Sequence, residues 1–432
     1  MATKVFNASL FSILIPYLED DYKSLATCCL VNVQFHDAFT PVLYRKLSVV
    51  VPSNPYDEAG TRSQLWSCRS PHLAPHVQEL VLTGHLAFPQ HMERETSTMQ
   101  LVLDVLPLLK GLRSFVCKPQ IVSKEIFEVL LDAINVLPLR ETFHVNRVCM
   151  ETETAAQLIK DNIRRLTLES PRAANLVQLQ SQISKLHLLE LHLTDDCGSA
   201  SPRLFDILQD GVTELEAFTF GLCYSITNNQ IFRFLDHMNH LKRLELHYYV
   251  QLGLYANTEL PALQHLVVHH AFETTVDGSR RICKWIRSII GHSSIRLLEL
   301  KLLDPFSLEE HLGLEGPSFD ALMTHLALKH PNLRRLDAEW SYVSQGVLRK
   351  VVDRCVHLEW LALSIHVSSL GLLRSSTELK LLRAFRCHLR GIIYRKSKLT
   401  TTEEIIGQLF SGSSWSVSTK SLRWDRVVEA HR

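Results

Sequence analysis

Glycine and proline are scarce in this 432-residue chain, at 16 each. That excludes a collagen-like tract and argues against a long flexible linker. Neither sign of charge dominates: 46 Lys and Arg stand against 45 Asp and Glu, a net charge of +1. Nucleic-acid binders ordinarily carry a marked basic surplus, so a nucleic-acid partner is not expected. Basic residues do outnumber acidic ones from Leu379 onward. This suits a solvated end cap or a patch for an acidic partner. No uninterrupted apolar run reaches the length of a transmembrane helix, so no membrane association is expected. The ten cysteines include no CxxC pair, and Cys117, Cys149, Cys223, Cys355 and Cys387 lie in or beside hydrophobic stretches. Free cysteine in such surroundings packs as a small apolar residue. Asp20 and Asp21 follow the first amphipathic run where a signal peptide would need a small-residue cleavage site. A reducing setting, cytoplasmic or nuclear, is therefore expected.

Catalytic signatures are missing as well. The sequence holds no GxSxG, Walker A, GxGxxG, HExxH or EF-hand pattern. "HMNH" (237–240) and the pair His265 and His269 are histidine doublets with no carboxylate or cysteine cluster beside them in sequence, and a metal site needs three or four ligands at matched spacing. Solvated or capping histidines are the simpler account. "SGSSWS" (411–416) reads as a loop with no base nearby in sequence. No catalytic residue, metal or cofactor is expected.

What the chain does contain is a recurring unit: apolar, two residues, apolar, one residue, apolar. It appears as "VQELVL" (77), "LRSFVC" (112), "IRRLTL" (163), "LHLLEL" (186), "LEAFTF" (215), "LKRLEL" (241), "LQHLVV" (263), "IRLLEL" (295), "LRRLDA" (333), "LEWLAL" (358) and, more weakly, "LKLLRA" (379). "LPLRETFHV" near 139 fits with a one-residue shift. The spacing of these copies lies in the range of repeat architectures. The last two apolar positions are two apart and share one face of a strand. So short a strand cannot bury its face alone, but stacked copies make one continuous core.

Between these strands the apolar period changes to that of helices. "TNNQIFRFLDHMNHL" begins at a Thr227 cap and aligns Ile231, Phe234, Leu235 and Met238. "RRICKWIRSIIGHSSI" aligns Ile282, Trp285, Ile286 and Ile289. "PSFDALMTHLALKHPNL" runs from Pro317 to a stop at Pro331, and "SQGVLRKVVDRCVHL" aligns Val347, Leu348, Val351, Val352 and Cys355. "TMQLVLDVLPLLKGL" precedes the strand at 112, with Pro107 set to end or kink it. Strand and helix in alternation predict an α/β fold with a parallel sheet. Over roughly 76–390 the LxxLxL spacing resembles an irregular leucine-rich-repeat arc, similar to the divergent repeats of fungal F-box proteins. The resemblance implies strands on the concave side and helices outside.

Ahead of the repeats, "FNASLFSILIPYLEDDYKSLATCCLVNVQFHDAFTPVLYRKLSV" resembles an F-box. Leu25, Cys28, Leu30, Val31 and Phe35 match L-x-x-C-x-L-V-x-x-x-[WF]. Pro41, Leu43, Tyr44, Arg45, Leu47 and Val49 match the ending P-x-L-Y-R-x-L-x-V. The front departs: Phe6-Asn7 stands where Leu-Pro is usual and Ser9 where Glu is usual, although Leu10, Phe11, Leu14 and Leu18 keep the apolar pattern. A segment this small is too short to bury a large core, and its surplus apolar residues point to a partner or a docked neighbour. The expected organisation is a helical module over 5–50, a linker over 51–75 and a leucine-rich-repeat-like solenoid over 76–426.

The resemblance implies a substrate-recognition subunit of a Skp–cullin–F-box ubiquitin ligase. The Skp-type adaptor, and through it a cullin, would be met by Phe6, Leu10, Leu14, Leu18, Leu30, Val31, Phe35, Pro41, Leu43 and Tyr44. The chain itself would act as a monomer within a hetero-complex and perform no chemistry. On the concave face, the residues alternating with the buried pair are Arg243, Glu245, His247, His265, His269, Glu299, Lys301, Arg335, Asp337, Glu339 and Trp360. Arg and Trp are enriched at binding hot spots, so this set is the expected target-recognition surface. The alternative readings are a repeat scaffold outside any ligase and, more remotely, an enzyme with a site in the arc.

Overall fold

A computed structural model describes residues 8–18, 21–53, 59–87, 97–137, 141–151, 162–198, 203–209, 212–248, 259–271, 275–303, 318–369, 371–372, 381–390, 416–421 and 426–431. The chain divides into two compact units, Met1–Gly211 and Val212–Arg432.

The first unit opens with helices α1 (Ala8–Leu18), α2 (Tyr22–Cys29) and α3 (Val33–Leu43). Local chemistry sets their starts. Asp21 accepts a hydrogen bond from the Ser24 N–H at 3.0 Å, and Asn32 accepts one from the Phe35 N–H at 2.9 Å. Each side chain satisfies a donor that the first helical turn leaves free. Phe11, Phe35 and Phe39 meet with ring centroids 5.1–5.7 Å apart, and Leu25 and Phe39 are fully buried. Strand β1 (Lys46–Val51) follows, and helix α4 (Ala59–Ser67) comes next. The stretch read as a linker is thus partly structured, because Leu65 and Cys68 are buried. Strands β2 (Glu79–Leu86), β3 (Ser114–Val122), β4 (Thr142–Asn146), β5 (Arg165–Glu169) and β6 (Glu190–Gly198) add in sequence order, every neighbouring pair parallel to β1's direction.

The register explains the repeat. Leu47, Leu80, Phe115, Phe143, Leu166 and Leu191 lie side by side across this sheet, and Val49, Leu82, Cys117, Val145, Leu168 and Leu193 form the next row. All twelve are buried. One copy is corrected. The spacing of "LHLLEL" from Leu186 predicts Leu189 and Leu191 as the inward pair, but the buried pair is Leu191 and Leu193, with Leu188 as the leading residue. The run has leucine at 186, 188, 189, 191 and 193, so two registers fit equally, and pairing with β5 selects one. In the 139 copy Phe143 and Val145 supply the pair, while Leu139 lies outside the described residues. The strand β1 also carries this pattern, so the sheet begins inside the segment read as the helical module. Helix Thr98–Val105 stops one residue before Leu106, and Pro107 sits in a 3-10 turn.

The second unit repeats the arrangement with β7 (Ala217–Cys223), β8 (Arg243–His247), β9 (His265–His270), β10 (Leu297–Leu302), β11 (Arg335–Val343), β12 (Trp360–His366) and β13 (Ala384–Arg390), all parallel. Phe218, Leu244, Leu266, Leu298, Leu336, Leu361 and Phe385 form its buried row. Here the weak copy is corrected: Phe385 and Cys387 are the inward pair, Leu382 leads them, and Leu381 is exposed. The last strands, β14 (Ser416–Ser421) and β15 (Arg426–His431), run antiparallel to each other, and β15 is antiparallel to β13. The parallel repeat therefore does not extend through them. They cover the backbone edge that β13 would otherwise expose.

The helices take the faces their spacing predicts. Thr227 and Gln230 form a reciprocal cap on Asn228–Leu235. Val276–Ile290 buries Ile282, Trp285, Ile286 and Ile289, and Trp285 donates through Nε1 to Asn228 Oδ1 at 3.0 Å. Asp320–Lys329 ends just before Pro331, and Pro317 lies outside the described residues. In each unit the helices cover the leucine face of the sheet. The described residues of the opposite, open face are mostly half-exposed, although Ala217, Thr219, Val267, Ala362, Ser364 and Ala384 on it are buried.

Candidate functional site

Two surfaces stand out, one in each unit. On the helical module, Leu30 and Val31 are exposed, at 86% and 60%, although they belong to the family pattern. Leu14, Leu18, Pro41, Leu43 and Tyr44 are half-buried. Phe35 is half-buried within the Phe11 and Phe39 cluster, so it holds the helices together. Leu10 sits in α1, and Phe6 lies outside the described residues. Leu43 and Tyr44 line a cavity of about 280 Å³ with Tyr22, Ala26, Leu47 and Cys68. The sequence reading missed Ile13, Tyr17, Tyr22 and Val33, all exposed. Ile13 and Tyr17 are four apart on α1 and therefore share a face. A helix apolar on more than one side was the available signal.

The second surface is the open face of β8–β12. All eleven residues named from the alternation lie on these strands, out of the leucine face. The register sets Arg243, His265, Leu297, Arg335 and Trp360 in one row, and Glu245, Val267, Glu299 and Asp337 in the next. His247, His269 and Lys301 make a third. The charges pair both across strands and along them. His269 Nε2 bonds Glu245 at 2.7 Å and His265 Nε2 bonds Glu299 at 3.0 Å. Arg243 reaches Glu245 at 3.2 Å, Lys301 reaches Glu299 at 3.5 Å, and Arg335 reaches Asp337 at 3.0 Å. The Arg335 guanidinium lies over the Trp360 ring, 5.3 Å from its centre. Glu339 is bonded by Arg386 from β13 at 3.0 Å, a partner that sequence reading did not place.

These contacts set the electrostatics. The His269 bond, with Lys301 and Arg243 nearby, holds the Glu245 carboxyl down to about 2. The His265 bond, with Lys301 and Arg335, does the same for Glu299, also to about 2. His247 stacks on His269 with centroids 4.6 Å apart, and burial together with that neighbour pushes it down to about 4. Near Glu339, β11 shifts register between Ala338 and Tyr342. Such a bulge re-aims side chains locally. In the first unit the open face shows the same style of pairing. Arg165 bonds Glu190 at 2.9 Å, and Glu169 is shared by His144 and Lys118.

The other doublet resolves simply: His237 Nδ1 bonds the Arg233 carbonyl at 2.8 Å, at the end of its helix. Residues 411–415 of "SGSSWS" lie outside the described residues. Among the described residues no cluster of three His, Cys, Asp or Glu side chains is arranged to hold a metal ion. No described helix is long and apolar enough to cross a membrane. The geometry defines a strand–helix repeat protein with a short helical module at its front. The chain matches no family model and no curated protein. Among solved structures it is similar to the crystal structure of the Rad7 and Elc1 complex in yeast. The identity is 15% and the TM-score 0.42, over 90% of this chain and 91% of that one.

Proposed function

We propose that this chain recruits substrates to a ubiquitin ligase of the Skp–cullin–F-box type. Helices α1–α3 would bind the Skp-type adaptor, and the open sheet face would bind the target. The carrying observation is the set of exposed apolar side chains on the module: Ile13, Tyr17, Tyr22, Leu30, Val31 and Val33. Stable monomers seldom leave so many apolar groups in water on one small element. The match of Leu25, Cys28, Leu30, Val31 and Phe35, and of Pro41 through Val49, to the F-box pattern supplies the partner's identity. The chain performs no chemistry. It raises the local concentration of target lysines beside a bound ubiquitin carrier, which is catalysis by proximity. The working compartment is the cytoplasm or nucleus.

A second reading has its own observation. Phe6-Asn7 replaces the usual Leu-Pro at the front of the motif. If that change removes adaptor affinity, the chain is a repeat scaffold acting outside any ligase. Reconstitution separates the two. The tagged chain is co-expressed with a Skp-type adaptor and a cullin, and the purified complex is analysed by size-exclusion chromatography. Co-elution of all three supports the ligase reading. A well-folded chain eluting alone supports the scaffold.

A further inference from the structure

On the face of β8–β13 away from the leucines the described charges are layered in depth. The carboxylates are sunk: Glu245 is 16% exposed, Glu299 14% and Glu339 15%. The cations that pair with them stand outward: Arg243 is 46% exposed, Lys301 45% and Arg386 36%. Arg335, which pairs with Asp337, follows the same order at 42% against 28%. An approaching partner therefore meets guanidinium and ammonium groups first. Their own carboxylates lie beneath them and hold them in place.

We propose that this face receives a segment of the target rich in Asp and Glu. The proposal rests on reading the chain as a target-binding subunit. The four cations run from β8 to β13, five strand steps, or roughly 24 Å. About seven residues of extended chain cover that span. Arg243 and Arg335 share the first row, Arg386 lies in the second and Lys301 in the third, so the cations trace a band three rows deep that crosses the strands. At the Arg335 end, Arg335 Nε and Trp360 Nε1 are buried without a hydrogen bond, and Arg335 Nε lies 3.9 Å from Glu299.

The sunken carboxylates also select the kind of anion. A single carboxylate can settle on an outward cation while staying clear of the acid below it. A phosphate dianion or a nucleic-acid backbone brings more charge near Glu245 and Glu299, which remain ionised. Carboxylates beneath the cations offset the broad positive field that draws polyanions.

The test pans random displayed dodecapeptides against the full-length chain and against the double variant Arg243→Glu, Lys301→Glu. Both side chains are half-exposed, and Glu245 and Glu299 keep His269 and His265 as partners in the variant; circular dichroism checks that it folds. The wild-type pool should be enriched several-fold in Asp and Glu, and the variant pool should lose or reverse that bias. A fluorescein-labelled Glu-Ser repeat decapeptide should bind the variant at least tenfold more weakly. Lys301→Arg, which keeps the charge, should bind it as wild type does. Enrichment of Lys and Arg, a pool without charge bias, no selectable peptide, or tighter binding of a phosphoserine peptide or an oligonucleotide would overturn the proposal. Adaptor binding through α1–α3 is scored separately, so neither result is confused with failure of the ligase reading.

Discussion

At the scale of single residues, burial decides reactivity. Of the ten thiols, Cys28 and Cys29 are partly accessible and the other eight are buried. Burial raises Cys68 and Cys283 to about 11 and Cys355 to about 12, which suppresses the reactive thiolate. A thiol-specific reagent at pH 8 should label Cys28 and Cys29 within minutes and the others only on unfolding, as read by mass spectrometry. Rapid native labelling of Cys117 or Cys355 would contradict this. The sequence reading placed Cys117, Cys149, Cys223, Cys355 and Cys387 in the core because it followed their apolar neighbours, but its expectation that Cys28 faces inward is not met, since Cys28 is only half-buried, as Cys29 is. It could not foresee that Cys149 Sγ lies 3.7 Å from Cys117 Sγ, since the contact joins segments far apart in the chain.

Histidines behave similarly. Burial pushes His270 and His330 down to about 4. The unfolded chain takes up these protons near pH 6.5, and the folded chain resists until near pH 4. Stability is thus full above pH 6.5 and falls as pH drops toward 4, by up to about 1.4 kcal/mol per pH unit for each histidine. Glu245 and Glu299, ionised in the fold down to about 2, extend the loss at lower pH. His330 is buried with neither ring nitrogen bonded. His330→Leu should therefore raise stability by about 1 kcal/mol at pH 7.5 and flatten the acid dependence. Urea denaturation at pH 7.5 and 5 measures both. A less stable variant with an unchanged pH slope would refute it.

At the scale of elements, periodicity made the repeat legible but not its register everywhere. Where polar residues separate the leucines, as in "LKRLEL", one alignment fits and Leu244 and Leu246 are indeed buried. Where leucines crowd, as at 186–193 or 379–382, the apolar pattern alone has no unique phase, and neighbouring strands decide. The close approach of β1 to β2 was also invisible. Gly84 has φ +87°, and a Cβ there would lie 2.1 Å from the Val51 carbonyl oxygen. Gly84→Ala should cost at least about 2 kcal/mol, whereas Gly346→Ala, with open space around it, should be neutral or gain up to about 1 kcal/mol. Equal effects of the two on the urea midpoint would contradict the geometry. In the buried row, Leu298→Ala should cost about 2–5 kcal/mol.

At the scale of the whole molecule, the proposed function divides between a helical module that leaves apolar side chains in water and a sheet face that presents paired charge. The charged face was readable from strand alternation, because every second residue must point away from the leucine core. Its internal pairing was not, since Glu245 meets His269 and Glu339 meets Arg386 only once strands are registered. On the module the sequence motif drew attention to Phe35, which holds the helices together, and away from Tyr17, which faces solvent. Calorimetric titration of the purified full-length chain with a Skp-type adaptor tests the central claim most directly, using wild type, Tyr17→Asp and Lys301→Glu. The account expects saturable binding by wild type, at least tenfold weaker binding by folded Tyr17→Asp, and no change for Lys301→Glu. No heat of binding from well-folded wild type, or equal affinity in all three, would contradict it.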